Sequence, residues 1–158
     1  MTEEDKKFMR RAIKLAEEGM NTGAGGPFGA VVVKDGKIIA EGWNVVTSTN
    51  DPTGHAEITA IRRACENLNT FQLEDCVLYT SCEPCPMCLG AIYWARPKKV
   101  YYALNHNDAA KIGFDDGFIY KELDKEMKER EIPFENIIRD EALPVFEKWD
   151  EKENRIDY

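Results

Sequence analysis

The sequence lacks the features that mark several large classes of protein. It has no excess of basic residues: 21 lysines and arginines stand against 29 acidic residues, which gives a formal net charge of -8. A protein whose main partner is a phosphate backbone normally carries a basic face, so nucleic acid is not an expected partner. No apolar run approaches the length of a membrane span, and the charged N-terminus MTEEDKKFMRRAIK has no apolar signal-peptide core.

Cysteine is present in a number that does not suit a disulfide framework, because five cysteines cannot all pair within one chain. Cys65, Cys76 and Cys82 fall in apolar segments, where a reduced thiol packs as a small hydrophobe. Reduced thiols and the absence of a targeting segment predict a cytoplasmic protein.

The size and composition are those of one globular domain. Of the 158 residues, 43% are hydrophobic and 32% are charged. No internal repeat, low-complexity stretch or linker divides the chain. We therefore expect a single domain over residues 1–158.

Two short stretches carry the chemistry. His55 and Glu57 begin one apolar segment at helical spacing, and Cys85 and Cys88 begin another, with Pro86 at the favoured first helical position. One imidazole and two thiolates are the protein ligands that Zn²⁺ takes when its fourth tetrahedral position is left to water. We predict a catalytic zinc site at His55, Cys85 and Cys88.

Glu57 follows the predicted histidine ligand by two residues, near enough to reach that water. Zinc lowers the pKa of a bound water towards about 7, and a neighbouring carboxylate can take its proton and pass it to a leaving group. The arrangement predicts hydrolysis at an electrophilic centre, with Glu57 as the proton carrier.

Two other interpretations of the cysteines remain. Cys82 would close a structural zinc site as its fourth ligand, although three sulfurs spaced like Cys82, Cys85 and Cys88 do not easily meet at one ion if Cys82 ends a strand. A thioredoxin-like redox pair would leave His55 and Glu57 without a purpose.

The rest of the pattern alternates strands and helices. Strands are predicted at 30–33, 38–46, 76–81, 99–104 and 134–138, and helices at 3–19, from His55, from Cys85 to Ala95, at 118–131 and from near Pro144. Residues 105–117 are expected to form a loop over a site. Strands and helices in this order predict an α/β fold with helices on both faces of the sheet.

At these motifs the chain resembles a known family. H-x-E with P-C-x-x-C is the signature of zinc-dependent nucleobase deaminases. The stretches GGPFGAVVVKDG, NDPTGHAEITAIR, YTSCEPCPMCLGAIYWARP and GFDDGFIYKE resemble the bacterial guanine deaminases of the cytidine-deaminase superfamily. The resemblance implies a three-layer α/β/α sandwich around a mixed five-stranded sheet, Zn²⁺ as the cofactor, and hydrolysis of guanine to xanthine and ammonia.

The resemblance also suggests substrate contacts. Phe28 would stack on a flat base, where the alternative is a plain flexible connection. Asn44, late in the second strand, would offer a donor and an acceptor to a purine edge, where the alternative is a bulge residue. Asp116 would accept from the N1–H and the exocyclic amine of guanine, where the alternative is an ordinary turn.

The C-terminus is polar and would normally fray. In the enzymes that the chain resembles, however, this segment crosses to the partner subunit and its last tyrosine closes the partner's pocket. This implies a homodimer in which about residues 140–158 are exchanged, with Tyr158 as a substrate-binding residue.

The zinc motif alone also serves tRNA adenosine deaminases and free cytosine deaminases. The acidic composition and Asp116 argue against both. A non-catalytic zinc-binding interaction module would keep the cysteines but would have no need of Glu57.

Overall fold

The computed structural model describes residues 1–158, which form two compact units, Met1–Asp116 and Gly117–Tyr158. The elements of the first unit are α1 (Glu3–Asn21), β1 (Gly29–Lys34), β2 (Lys37–Trp43), α2 (Val46–Thr49), α3 (Ala56–Leu68), β3 (Cys76–Cys82), α4 (Pro86–Ala95), β4 (Lys99–Leu104) and α5 (His106–Lys111).

The four strands form one mixed sheet in the order β2-β1-β3-β4. β1 runs antiparallel to β2 and to β3, whereas β3 and β4 are parallel. The parallel pairing places Cys82 opposite Leu104, so both strands end at the same edge of the sheet. The segments that follow β3 and β4 therefore start side by side, which is where an open α/β sheet normally binds its ligand.

Alternating side chains of the strands pack against helices on both faces, as the period of two in a strand requires. The cluster beside α1 contains Phe8, Ala12, Leu15, Val31, Val33 and Tyr79. The cluster on the other face contains Ala30, Val32, Ala40, Leu78, Ala56, Ala60, Ala64, Ile92 and Ala95, among others. The predicted three-layer α/β/α architecture is confirmed.

Helix α3 lies unusually close to the sheet because β2 has a glycine at the crossing. A Cβ atom on Gly42 would stand 2.6 Å from the Ala56 carbonyl oxygen and 2.7 Å from the Ala60 nitrogen. Both alanines are fully buried. The close approach fixes the beginning of α3, and with it the two residues of the H-x-E motif.

The predicted fifth strand at 134–138 is wrong, and the sheet has four strands. The apolar residues there resemble a strand in sequence, but the segment pairs with no strand of the chain, and Phe134 and Ile137 are exposed. Ile138 has a left-handed backbone (φ 45°) and begins the last helix.

Two further boundaries differ from the prediction. β2 ends at Trp43, so Asn44 follows the strand instead of lying within it. The predicted loop at 105–117 contains α5, which Asn105 caps through a reciprocal pair of hydrogen bonds with Asp108. Asn105 and Asp108 have the spacing of a capping box, but the polar composition of the stretch favoured a loop.

Helix α4 is not enclosed on all sides as its apolar composition predicted. The apolar residues around α4 favour a place for Tyr93 and Trp94 in the core or at a subunit interface, but Tyr93 is 75% exposed and Trp94 is 63% exposed, so the core placement is wrong. Their other predicted place, a subunit interface, stays a prediction.

The second unit contains α6 (Gly117–Leu123), a 3₁₀ turn at Met127–Glu129, and α7 (Arg139–Asp150). The helix predicted over 118–131 therefore ends early, and the last helix begins ahead of Pro144, which lies inside it. No residue of this unit is buried, although it carries many large apolar side chains. The chain contains no helix with both the length and the apolarity to cross a bilayer.

Candidate metal centre and active site

The three predicted zinc ligands lie at the beginnings of two helices. His55 is the residue that precedes α3, and Cys85 is the residue that precedes α4, with Pro86 following it and Cys88 one turn into the helix. The carbonyl oxygen of His55 accepts a hydrogen bond from the Thr59 N–H at 2.9 Å, and that of Cys85 accepts from the Leu89 N–H at 2.8 Å. His55 and Cys85 are thus each held by the first hydrogen bond of a helix, and Cys88 lies within the helix that follows Cys85.

The ligand atoms have the spacing of a tetrahedral metal site. His55 Nδ1 lies 3.5 Å from Cys85 Sγ and 3.5 Å from Cys88 Sγ, and the three atoms lie within 4.8 Å of one another. Zn–S bonds of about 2.3 Å and Zn–N bonds of about 2.0 Å at a tetrahedral angle require about 3.5 Å between the nitrogen and each sulfur. The donor set therefore fits Zn²⁺ with one position left open.

One member of the trio is already in the form that binds metal, whereas the hydrogen bond to Cys85 raises the pKa of the Cys88 thiol, so a bound ion would have to displace its proton. The hydrogen-bonded Cys88 thiol lowers the pKa of Cys85 to about 4, so Cys85 is a thiolate, the form that binds metal. In contrast, burial raises the pKa of the Cys82 thiol to about 11. Cys82 does not join the cluster, and its Sγ contacts the Asn105 carbonyl oxygen at 3.7 Å. The geometry therefore does not favour Cys82 as a fourth ligand.

Glu57 lies in the first turn of α3, 5% exposed. Its Oε2 is 3.5 Å from Cys88 Sγ, and burial raises the pKa of its carboxyl group above the ordinary value. A buried carboxylate beside three ligands, with an elevated pKa, is suited to take and return protons.

These groups open into one cavity of about 290 Å³, close to the lower end of the range for small-molecule pockets, about 300–1,000 Å³. It is lined by Gly26, Phe28, Asn44, Val46, Thr47, Pro52, His55, Glu57, Cys82, Glu83, Cys85, His106, Ala109, Phe114 and Asp116. The structure thus brings the predicted residues Phe28, Asn44 and Asp116 to the same cavity as Glu57. Tyr158 is not among the lining residues; it is 68% exposed in the C-terminal unit.

Comparison with known proteins agrees with this geometry. The family described as the cytidine and deoxycytidylate deaminase zinc-binding region matches residues 2–104, which contain all three ligands and Glu57. The chain belongs to this family.

Within the deaminase family, the chain is 64% identical over 151 residues to guanine deaminase of Bacillus subtilis, covering 96% of this chain and 97% of that protein. The crystal structure of guanine deaminase from Bacillus subtilis superposes with a TM-score of 0.94, at 63% identity, covering 97% of this chain and 98% of that chain. A tRNA-specific adenosine deaminase of Haemophilus influenzae is 40% identical, covering 73% of this chain and 69% of that protein.

In this deaminase the amide of Asn44 has a fixed orientation. Its Oδ1 accepts hydrogen bonds from the N–H groups of Gly26, at 3.3 Å, and Val46, at 3.1 Å. A Cβ atom on Gly25 would stand 2.1 Å from that oxygen, so only glycine permits this approach. Because two donors occupy the oxygen, the amide nitrogen is the group that Asn44 can offer to a ligand.

Two aromatic rings of the deaminase meet at the cavity. Phe28 and Phe114 pack edge to face, with ring centroids 4.9 Å apart and an interplanar angle of 90°. Sequence analysis singled out Phe28 but missed Phe114, as well as Glu83 and His106. The signal for Phe114 was an aromatic residue two positions before Asp116 in a glycine-bearing stretch.

Asp116 is partly buried, and burial is the main cause of its raised pKa. It stands at the end of the first unit, beyond α5, so the chain passes from β4 through α5 to reach it. A carboxylate in a cavity that also presents the Phe28 and Phe114 rings and the Asn44 amide is a hydrogen-bond acceptor for a ligand with neighbouring donors.

Proposed function

We propose that this protein is a zinc-dependent guanine deaminase that converts guanine and water to xanthine and ammonia. The observation that carries the proposal is the convergence of the zinc trio, Glu57 and Asp116 on one small cavity. The near-complete match to a guanine deaminase at 64% identity supports the choice of base.

In the proposed site, His55, Cys85 and Cys88 hold Zn²⁺. When bound there, the ion supplies Lewis acidity that makes water a nucleophile at neutral pH. Two thiolates make the ion less electrophilic than imidazole ligands would, so much of the catalysis falls to the carboxylate of Glu57.

Glu57 carries two protons in turn. It takes the first from the attacking water as the oxygen forms a bond to C2 of guanine, and gives it to N3, which relieves the charge on the ring. It then transfers the second proton from the added oxygen to the amino group. The C2–N bond breaks, ammonia leaves, and the C2 carbonyl of xanthine forms. The raised pKa of Glu57 suits both directions of transfer.

Recognition of the base falls to the opposite wall of the cavity. Guanine presents N1–H and the exocyclic amine as adjacent donors, and the Asp116 carboxylate accepts from both. The amide nitrogen of Asn44 donates to a ring acceptor, and the Phe28 ring packs on the flat base. Adenine and cytosine do not present the same pair of donors.

A tRNA adenosine deaminase is the competing assignment, since the family includes such enzymes. The net charge of -8 argues against a polynucleotide substrate, because phosphate contacts require basic side chains. We therefore propose a free base as the substrate and no nucleic acid partner. Five unpaired cysteines fit the reducing cytoplasm as the place of action.

We propose a homodimer in which one catalytic domain per chain exchanges its C-terminal segment, residues about 140–158, with its partner. The exposed apolar side chains of residues 117–158 support this: Phe146 is 77% exposed, Ile137 73% and Trp149 44%. A helical unit with so much apolar surface requires a covering surface. The outer edge of β4 is also unpaired, with Tyr102 and Leu104 exposed.

Glu57→Ala should retain zinc and lose guanine deamination by several orders of magnitude, because it removes the carboxylate that contacts the ligand Cys88 and carries both protons in the proposed reaction. Ammonia release from guanine, guanosine, adenine, cytosine and cytidine, measured with zinc content, provides the check. Glu66→Ala, on the exposed side of the same helix, is the matched control. An active Glu57→Ala enzyme would contradict the mechanism. Turnover of another base in place of guanine would contradict the proposed substrate.

Asp116→Ala should lower kcat/KM for guanine by about 100-fold, since two hydrogen bonds to a charged acceptor are lost. The adjacent carboxylate gives the matched control: Asp115→Ala should keep wild-type kinetics, because Asp115 does not line the cavity. Steady-state kinetics on guanine measures both. Unchanged kinetics in Asp116→Ala would remove this residue from the pocket.

Deletion of Tyr158 should inactivate the enzyme, and mixing should restore activity if the tyrosine acts on the partner's site. Subunits with Glu57→Ala would be unfolded and refolded with an equal amount of subunits that lack Tyr158. Random pairing gives heterodimers with one whole site, so about a quarter of wild-type activity should return. If each tyrosine serves its own subunit, no site is whole and no activity returns.

A further inference from the structure

Two residues with no role in the proposed chemistry join the ends of the parallel strands. Glu83 follows β3 directly and precedes Cys85 by two residues, while His106 begins α5 just beyond β4. The main-chain N–H of His106 donates to Glu83 Oε2 at 3.1 Å, and His106 Nδ1 lies 3.0 Å from the same oxygen. The Glu83 N–H in turn donates to the Leu104 carbonyl oxygen at 2.8 Å.

The partner of the imidazole determines its tautomer. A carboxylate oxygen only accepts, so Nδ1 must carry the proton and donate to Glu83. One carboxylate oxygen then accepts two donors from a single residue, which fixes both the backbone and the ring of His106. The cap of α5 at Asn105 is already complete, so this bond is additional to the helix.

The two sides of this contact carry different parts of the site. Glu83 lies on the segment that supplies Cys85 and Cys88, where the reaction occurs. His106 begins the segment that leads through α5 to Phe114 and Asp116, where the base is recognised. Glu83 and His106 also line the cavity.

The proposed reaction depends on the distance between those two walls. C2 of guanine bears the amine that Asp116 binds, so a shift of this carboxylate moves the reacting carbon relative to Glu57. A misplacement of about 1 Å costs on the order of 100-fold in rate. The contact between Glu83 and His106 joins the two walls and is therefore placed to control the alignment of guanine with Glu57.

We propose that Glu83 and His106 form a positioning pair that sets the wall carrying Asp116 against the wall carrying the metal ligands. The inference rests on the proposed function. It predicts that loss of the pair lowers kcat more than it raises KM, because the base still binds but is held out of line with Glu57.

Substitutions at His106 separate this role from direct contact with the base. His106→Ala and Glu83→Ala should each lower kcat by about 10- to 100-fold with less than a threefold change in KM. His106→Asn places an amide N–H where Nδ1–H stood and should restore kcat to within about threefold of wild type. His106→Gln places its amide near the Nε2 position and should not. Lys111→Ala, on the same helix and exposed, should behave as wild type.

A double variant and two measurements beyond activity, zinc content and guanine affinity, complete the test. Zinc content should stay at the wild-type level in every variant. The double variant of Glu83 and His106 to alanine should be no slower than either single variant, since they remove one interaction. Guanine affinity, measured in a Glu57→Ala background where the base stays intact, should change less than threefold on adding His106→Ala.

Several results would overturn the proposal. They are wild-type kcat in both alanine variants, additive losses in the double variant, or rescue by glutamine together with weakened guanine affinity, which would assign His106 a direct contact instead. Absence of guanine turnover by the wild-type enzyme would refute the proposed function, and the pair's role with it. Normal guanine turnover by the wild-type enzyme, together with an unaffected kcat in His106→Ala, would refute the positioning role of the pair and leave the proposed function intact.

Discussion

The site depends on one constraint: two helix beginnings, at His55 and at Cys85, must meet at one point. His55 and Cys85 lie just outside their helices and accept the first hydrogen bond of each, and Cys88 lies one turn within α4. The position of α3 depends on Gly42, because any side chain there would collide with the helix backbone. Strand β1, between β2 and β3, keeps α3 and α4 on one face at fixed separation.

From that meeting point the rest of the cavity follows. Glu57 is buried next to the ligands because it occupies the first turn of α3, whose beginning is pressed on the sheet. The opposite wall of the cavity includes the segments that follow β2 and β4, so its position depends on where those strands end at the edge of the sheet. A fixed metal side and a separately supported recognition side explain how one family retains a zinc site while its members act on different bases.

The place of a residue in the structure could be predicted from the sequence where nearby residues determine that place. His55, Glu57, Cys85 and Cys88 were predicted because their spacing to helix starts is written in short stretches, and the structure places them together. The first four strands and the helices α1, α3 and α4 were predicted from periodicity for the same reason, whereas the short helices α2 and α5 were not. The contact between Glu83 and His106 was not predicted, because a contact across 23 residues between two strand ends leaves no periodic signal. The false strand at 134–138 shows the same limit, since apolar residues do not make a strand without a neighbour.

We propose that the chain presents three ligands to Zn²⁺ and leaves one position open. X-ray absorption at the zinc edge of the purified protein tests it most directly, with Cys82→Ser measured beside the wild type. We expect two sulfurs at about 2.3 Å and light-atom ligands at about 2.0 Å, with an unchanged spectrum in Cys82→Ser. Three sulfurs, with one lost in Cys82→Ser, would mean a closed structural site and would refute the open catalytic site.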